Sequence, residues 1–517
     1  MVASARSTPD APAVGARRAA AVATLLLVPY LALALAWLGS TPPGGAPDEP
    51  AHLVKALGAG RLDLGTPYAG PLDPDLATGR NQSISRTVTV PARLLLPTNT
   101  LCYIFRPEVS AACLEQPTPP APDGDVRART VLGAYPPFLY VPVGLVARTA
   151  TTAHEALTLA RGVVLLWSAL LLWLASWHLT RWLGPRALLG VLLAATPTAL
   201  FCLSVLTTSG IEITGALVVA AVVSVASFAP QSLRSRRTQA LTAVGGASLV
   251  LSRQLGVVTL GFLVLVLLAV GGWREVTDLV RRRSRSMLTA VGALGVATAS
   301  TLVWELVADH PARTGSPFDP TALRRWVDLA PGVARQGVAV FGWLDVPVPD
   351  PVSAWWLVVG TLVVMAALVV GRWRDRAVLL GTAATVAVVG GLVYASVFAP
   401  IGSSVQGRHL LPLAALVPVH AGVVLARRLP HRVGSLTLAT VGVLLLWEHG
   451  YGLWRAGQRY AVGLTAQTPW WFLPRAEWSP PLGWAPWLGL GMLGVMGLVA
   501  VVTSLALPGR APAADGV

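Results

Sequence analysis

The chain is nearly devoid of lysine. Lys55 is the only one among 517 residues, so the other basic side chains are all arginine. This reads as compositional bias and carries no functional weight. Charged residues are scarce too, at 12% of the chain against 54% hydrophobic; a soluble domain carries about 25% charged residues. An ordinary soluble fold is thereby excluded, and lipid is the implied solvent. The formal net charge of +15 does not indicate a nucleic-acid partner, because the arginines sit in short clusters between apolar runs and not on one soluble domain. No sustained internal repeat is present, which gives inverted-repeat transporters little support. No small-residue cleavage site follows the first apolar run, so it reads as a retained helix and not as a signal peptide. Cysteine is rare, with three in all. Cys202 lies in an apolar run and reads as inert packing. Cys102 and Cys113 share a long polar loop; in an oxidising compartment this spacing predicts a disulfide that stabilises the loop by roughly 2–3 kcal/mol. Two unpaired thiols are the alternative.

What is present is a series of apolar segments. They fall near 19–38, 159–183, 186–204, 210–229, 239–252, 254–271, 287–306, 354–371, 377–398, 409–426, 434–450 and 484–507. This predicts an all-α polytopic membrane protein of about twelve crossings. Arginine clusters at 17/18, 181/186, 234/236/237, 281–283/285, 372/374/376 and 427/428/432 then all fall on one face, which the positive-inside rule makes cytoplasmic. Both tails, 1–18 and 508–517, follow to that side. The segment 135–147 carries Pro136, Pro137 and Pro142. It reads as a juxtamembrane stretch at the outer interface, because counting it as a crossing would invert every later loop. The transmembrane domain, 19–507, thus carries one large extracytoplasmic loop, 39–158, with further outer loops at 307–352 and 451–483.

Candidate chemistry collects in those outer segments. Asp48 and Glu49 follow a Pro-Gly break just after the first helix. If a helix starts there, His52 shares the face of Asp48. Such a face fits a general base or an Asp48/Glu49/His52 divalent-metal site, and equally a helix cap with dipole-complementing acids. Tyr135 and Tyr140 flank the prolines, and Arg161 heads the second span. Arg253 lies at the tip of a hairpin on the arginine-poor side, where it meets a lipid phosphate or snorkels to the interface. Gln406-Gly407-Arg408 opens a helix; glycine permits close approach, a helix N-terminus attracts anions and arginine grips phosphate. Asp345, in Phe341-Gly-Trp-Leu-Asp345, orients a polar substrate or simply forms a turn. Tryptophans 470, 471, 478, 484 and 487 crowd the last outer loop and fit an interfacial belt. Asn81-Gln82-Ser83 is a glycosylation sequon without a known host.

Taken in order, Pro47-Asp48-Glu49-Pro50-Ala51-His52, Pro136-Pro137 with Tyr140, Gly342-Trp343-Leu344-Asp345 and Gln406-Gly407-Arg408 resemble the DUF2142 family of bacterial membrane proteins over roughly residues 20–450. His409 stands where that pattern leads one to expect an aromatic. The family is similar in layout to the GT-C glycosyltransferases. That similarity implies transfer of a sugar from a polyprenyl-phosphate donor to a cell-envelope glycan, lipid or protein at the outer face of the bacterial cytoplasmic membrane. It implies Asp48 and Glu49 as catalytic residues, with His52, Lys55, Tyr135, Tyr140, Arg161, Arg253, Asp345, Gln406 and Arg408 binding substrate. Two other readings stand beside it: a non-catalytic envelope-assembly protein, and a transporter or flippase of a lipid-linked glycan.

Overall fold

The computed structural model describes residues 13–68, 85–308 and 318–506, apart from positions 272, 274–276, 279–280, 282–283 and 402. The C-terminal tail, most of the N-terminal tail, the sequon and Arg282 and Arg283 lie outside the described residues.

Helix α1 (Ala16–Ser40) ends at Thr41. Pro42, Pro43 and Gly44, the last at φ 74°, cannot continue a helix and turn the chain into α2 (Glu49–Ala59), with Pro50 in its first turn. The first loop then adds a feature that the apolar pattern does not predict. It is a three-stranded antiparallel sheet of β1 (Thr66–Pro67), β2 (Arg86–Pro91) and β3 (Asp125–Thr130), in that order, packed on α2. Cys102 and Cys113 form the predicted disulfide beside it.

Helix α3 (Tyr140–Ala147) has eight residues, about 12 Å at 1.5 Å each, and cannot cross a hydrocarbon core of about 30 Å. Val143, Gly144 and Ala147 face the protein, while Leu145 and Val146 are exposed. The segment 135–147 is therefore no crossing. A Cβ on Gly144 would lie 1.7 Å from the Ala56 carbonyl oxygen, so only glycine lets α3 lie this close on α2.

After α4 (Ala153–Leu183) comes a segment broken at Ala195-Thr196. Pro185–Ala194, which contains α5 (Leu189–Ala194), and α6 (Pro197–Ser204) meet at 79°. One end is tied to the arginine-rich face, where Arg186 packs on Gly434. Just past the other end, the Leu206 amide donates to Glu49. The segment is thus a candidate crossing broken at its middle. There follow α7 (Ser209–Ala226), α8 (Arg236–Ser252), α9 (Gln254–Gly271), α10 (Arg285–Val307) and α11 (Pro320–Ala339). A hairpin of β4 (Val340–Phe341) and β5 (Val346–Pro347) leads to α12 (Asp350–Val370) and α13 (Trp373–Val393). The chain closes with α14 (Gly407–Ala414) running into α15 (Leu416–Arg428), then α16 (His431–Val462) and α17 (Trp484–Ala506).

Among the described residues, ten helices are long and apolar enough to cross a membrane, and the bent pair makes an eleventh candidate. The twelfth predicted segment is α8, whose 17 residues rise about 26 Å. Every position of α7 is buried, so it is the central post, whereas α9, α10, α12, α13 and α17 expose long apolar faces fit for lipid. Contacts between distant arginine clusters place them together: Arg181 donates to the Val14 carbonyl, Arg237 lies over Trp177, and Arg428 pairs with Asp375 at 3.0 Å. One boundary lies far from expectation. Helix α16 runs twelve residues past predicted 450, because its Trp- and Arg-bearing end is too polar for a span pattern yet packs on the outer loops. Glu448 accordingly lies well inside a helix, not near its outer end. The amphipathic α11, with no apolar run, was invisible to that pattern.

Candidate functional site

On the arginine-poor face the turn 41–48 is gripped at almost every carbonyl. Arg161 donates to Leu38, Thr41 and Pro42 (3.2, 2.8 and 3.0 Å), Tyr103 to Pro43 (2.9 Å), the Trp343 indole to Gly44 (2.8 Å) and Tyr460 to Gly45 (3.4 Å). The Gly44 amide donates to Glu49 at 3.0 Å. These partners come from α4, the first loop, the β4–β5 hairpin and α16, so several remote segments fix one short turn.

That turn presents Asp48. Its backbone is left-handed, φ 59° and ψ 14°, a conformation that aspartate tolerates better than most non-glycine residues. The carboxylate makes no cap hydrogen bond to its own helix, so the helix-cap alternative does not describe it. It lies instead 3.8 Å from the Arg408 guanidinium, with a third of the side chain exposed.

Glu49, next in sequence, is fully buried and accepts four hydrogen bonds. Arg161 Nε and Nη2 reach its two oxygens at 2.8 and 2.6 Å, and the amides of Leu206 and Gly44 complete the set. No lone pair is left for a substrate or metal, so the expected contact of Glu49 with either is corrected to a purely positioning role, as is that of Arg161. His52 is also turned away from Asp48, hydrogen-bonding Tyr140 OH at 2.8 Å. Burial first, then Arg253, Arg408 and Lys55, hold its pKa well below the ordinary histidine value. Asp48, Glu49 and His52 therefore do not fit a metal, and among the described residues no group of three or more His, Cys, Asp or Glu side chains does.

Three further expectations change for the same reason. Lys55 donates to the Leu132 and Gly133 carbonyls at 2.7 and 3.4 Å, between the rings of Tyr140 and Trp304; burial and then Arg86 lower its pKa to about 7. Asp345 accepts from Trp343 N at 3.0 Å and Arg459 at 2.9 Å and so closes the hairpin turn, as the turn-forming alternative has it. Gly407 makes its close approach to a neighbouring helix, not to a ligand: an added Cβ would be 2.1 Å from Gly337 N, and the Gly407 amide donates to Gln336. The Gln406 backbone N–H donates to His409 Nδ1, while Gln406 lines the cleft that Arg408 lines; His409 stacks on Phe398, so a ring contact does exist at that position.

The remaining expected residues converge. Arg253, at the α8–α9 junction, is buried; its Nε donates to Thr208 Oγ1 (3.2 Å), Tyr135 lies under its guanidinium (5.0 Å) and Glu212 is 3.8 Å away. Arg408 is buried with its Nε unpaired, and it lines a cleft with Pro47, Cys202, Gln336, Gly342 and Leu344. Asp48 lies within electrostatic reach of both guanidiniums. Sequence reasoning missed Thr208, which no motif marks, and took Glu212 only as an ionisable residue near the outer end of a span, of interest to a transporter.

A contrast emerges among four buried or partly buried ion pairs on this face. Arg161–Glu49 and Arg459–Asp345 are hydrogen-bonded at 2.6 and 2.9 Å, while Arg253–Glu212 and Arg408–Asp48 stand apart at 3.8 Å. The close pairs lock the scaffold. Arg408 Nε and both Glu212 oxygens of the loose pairs have no partner, and neither has Arg459 Nε in one of the close pairs; each is costly in a buried setting. The arrangement can take an anion between two arginines and a hydroxyl against Asp48.

Fold and site together define a polytopic α-helical membrane protein with a charged cleft at the arginine-poor end of its helices. The model of the predicted-membrane-protein family DUF2142 matches residues 31–417, and the chain belongs to that family. No curated protein and no solved structure matches it.

Proposed function

We propose that the protein is a membrane glycosyltransferase that moves a sugar from a polyprenyl-phosphate donor to a cell-envelope acceptor. The observation that carries the reading is the cleft in which a partly exposed carboxylate, Asp48, stands 3.8 Å from the buried Arg408, whose Nε has no partner, with a second buried arginine, Arg253, within electrostatic reach. Asp48 takes the proton of the acceptor hydroxyl. The hydroxyl oxygen attacks the anomeric carbon, and the carbon–oxygen bond to phosphate breaks with its electron pair leaving on the phosphate. Arg408 and Arg253 stabilise that growing charge; a single displacement inverts the anomeric centre. Tyr135 holds the Arg253 guanidinium flat. By the positive-inside rule the arginine-rich face and both termini are cytoplasmic and the cleft faces outward from a bacterial cytoplasmic membrane.

The test is binding and turnover of radiolabelled polyprenyl-phosphate sugars by purified protein. Asp48→Asn is expected to bind donor without transfer, and Arg408→Ala to bind it weakly. If the wild type neither binds nor uses any donor in a broad panel, the protein is an assembly partner and not an enzyme.

A second reading, transport of a lipid-linked glycan, draws on Glu448, His449 and His178. All three are buried within helices, and neither histidine has a hydrogen-bond partner; intramembrane ionisable groups commonly mark transport paths. It predicts that Glu448→Gln stops flipping of a lipid-linked glycan in proteoliposomes. The transferase reading predicts no change.

A further inference from the structure

The proposed transfer leaves one charged group of the cleft without a task. Glu212 sits in the first turn of α7, fully buried, and neither of its oxygens has a hydrogen-bond partner. It faces Arg253 from the α8–α9 junction at 3.8 Å. Arg408 of α14 and the Cys202 thiol of α6 also bear on it electrostatically. Beyond Arg253 stand Asp48, Tyr135 and Tyr140.

Charge counting shows why this matters. Two guanidiniums and two carboxylates make the empty cluster neutral. An incoming phosphate adds one or two negative charges beside two carboxylates, and in a largely buried setting that like-charge excess is unfavourable. One carboxylate must give way. Asp48 reaches solvent; Glu212 does not, and it holds Arg253 only through a long contact that a phosphate oxygen can replace at hydrogen-bond distance.

We propose that Glu212 is the counter-ion of Arg253 in the empty site and takes up a proton when a lipid phosphate claims that arginine. The inference rests on the phosphate-binding reading above. Glu212 thereby sets specificity for an anionic head group. A neutral head group leaves the Glu212–Arg253 pair intact and gains nothing from either arginine. The bound phosphate keeps the guanidinium, and the proton, drawn from solvent, stays on the Glu212 carboxyl until the phosphate departs.

The experiment is calorimetric titration of the purified full-length protein with farnesyl phosphate, in buffers of differing ionisation enthalpy, across a pH series. Wild type is compared with Glu212→Gln and Asp48→Asn. Wild type is expected to take up about one proton more than Glu212→Gln, so that its Kd rises about tenfold more per pH unit than the variant's where the free carboxyl is ionised. Asp48→Asn is expected to keep the wild-type proton count. Equal proton counts for wild type and Glu212→Gln overturn the inference while leaving phosphate binding intact. Loss of the extra proton in Asp48→Asn assigns it to Asp48 and overturns the inference equally. If wild type binds no farnesyl phosphate, or Arg253→Ala and Arg408→Ala bind it as wild type does, the phosphate reading falls and this inference with it. Glu212→Asp, which retains the titrating group, is expected to restore the uptake; monodisperse elution of each variant guards against misfolding.

Discussion

Glu49→Gln separates positioning from catalysis at the acidic pair. Glu49 is buried and accepts four hydrogen bonds, two of them from Arg161. An amide in its place supplies one acceptor oxygen and turns an NH2 towards donors. Arg161 is left charged, buried and without its counter-ion. Breaking a buried pair on one side costs about 3–5 kcal/mol. Arg161 retains the carbonyls of Leu38, Thr41 and Pro42, so the lower end, about 3 kcal/mol, applies. Asp48→Asn alters a 3.8 Å contact on a side chain one-third exposed, and about 1 kcal/mol or less is expected. The assay is thermal unfolding in detergent by intrinsic tryptophan fluorescence, with the Glu49→Gln/Arg161→Gln double variant closing the cycle. Glu49→Gln should lower Tm by several degrees, Asp48→Asn should leave it within a degree, and the double variant should recover part of the loss. A Glu49→Gln protein as stable as wild type but devoid of transfer would refute the reasoning, because it would put Glu49 in contact with substrate.

Other perturbations read the scaffold. Cys102→Ser with Cys113→Ser should cost roughly 2–3 kcal/mol for a loop of this length, seen as faster proteolysis within the first loop while the helical signal persists. Gly407→Ala forces a methyl to within 2.1 Å of Gly337 N and should destabilise by about 1–3 kcal/mol, with the α11–α14 contact opening in cross-linking between introduced cysteines. His52 has a pKa well below the ordinary value in the fold. The unfolded chain therefore binds the proton first as pH falls through about 6.5, and stability contributed by neutral His52 is lost from there downward. His52→Asn should flatten that acid limb of the Tm–pH curve.

Much of the fold was legible because lipid imposes simple rules. The alternation of arginine clusters leads one to expect all of them on one face, and the contacts of Val14 with Arg181 and of Asp375 with Arg428 join two pairs of those clusters. Three prolines were enough to keep 135–147 out of the membrane count. What periodicity could not supply was any element whose stability comes from partners. The sheet, α11 and the far end of α16 are polar or short, and they persist by packing on one another. The break at Ala195-Thr196 was hidden for the same reason, since a bent crossing has the same composition as a straight one.

Sequence motifs point to residues that the fold brings near one another but not to what each one touches, and Asp48 and Glu49 show why. They are adjacent, chemically alike and share one motif, yet one faces a cleft and the other is sealed. The difference is a single backbone angle: the left-handed turn at Asp48 swings its carboxylate away from the path that Glu49 takes towards Arg161. Spacing along a chain cannot reveal that angle, because it is fixed by the remote donors that grip residues 38–45. The same logic divides the arginines. Arg161 and Arg459 are bound by short bonds to acids and carbonyls, whereas Arg253 and Arg408 meet their acids only at 3.8 Å. In a low-dielectric setting a charge whose hydrogen bonds are complete is architecture, and one held loosely is available to a ligand. By that criterion the proposed chemistry draws on Asp48, Arg253, Arg408 and Glu212, a set from four separate parts of the chain that only the fold assembles.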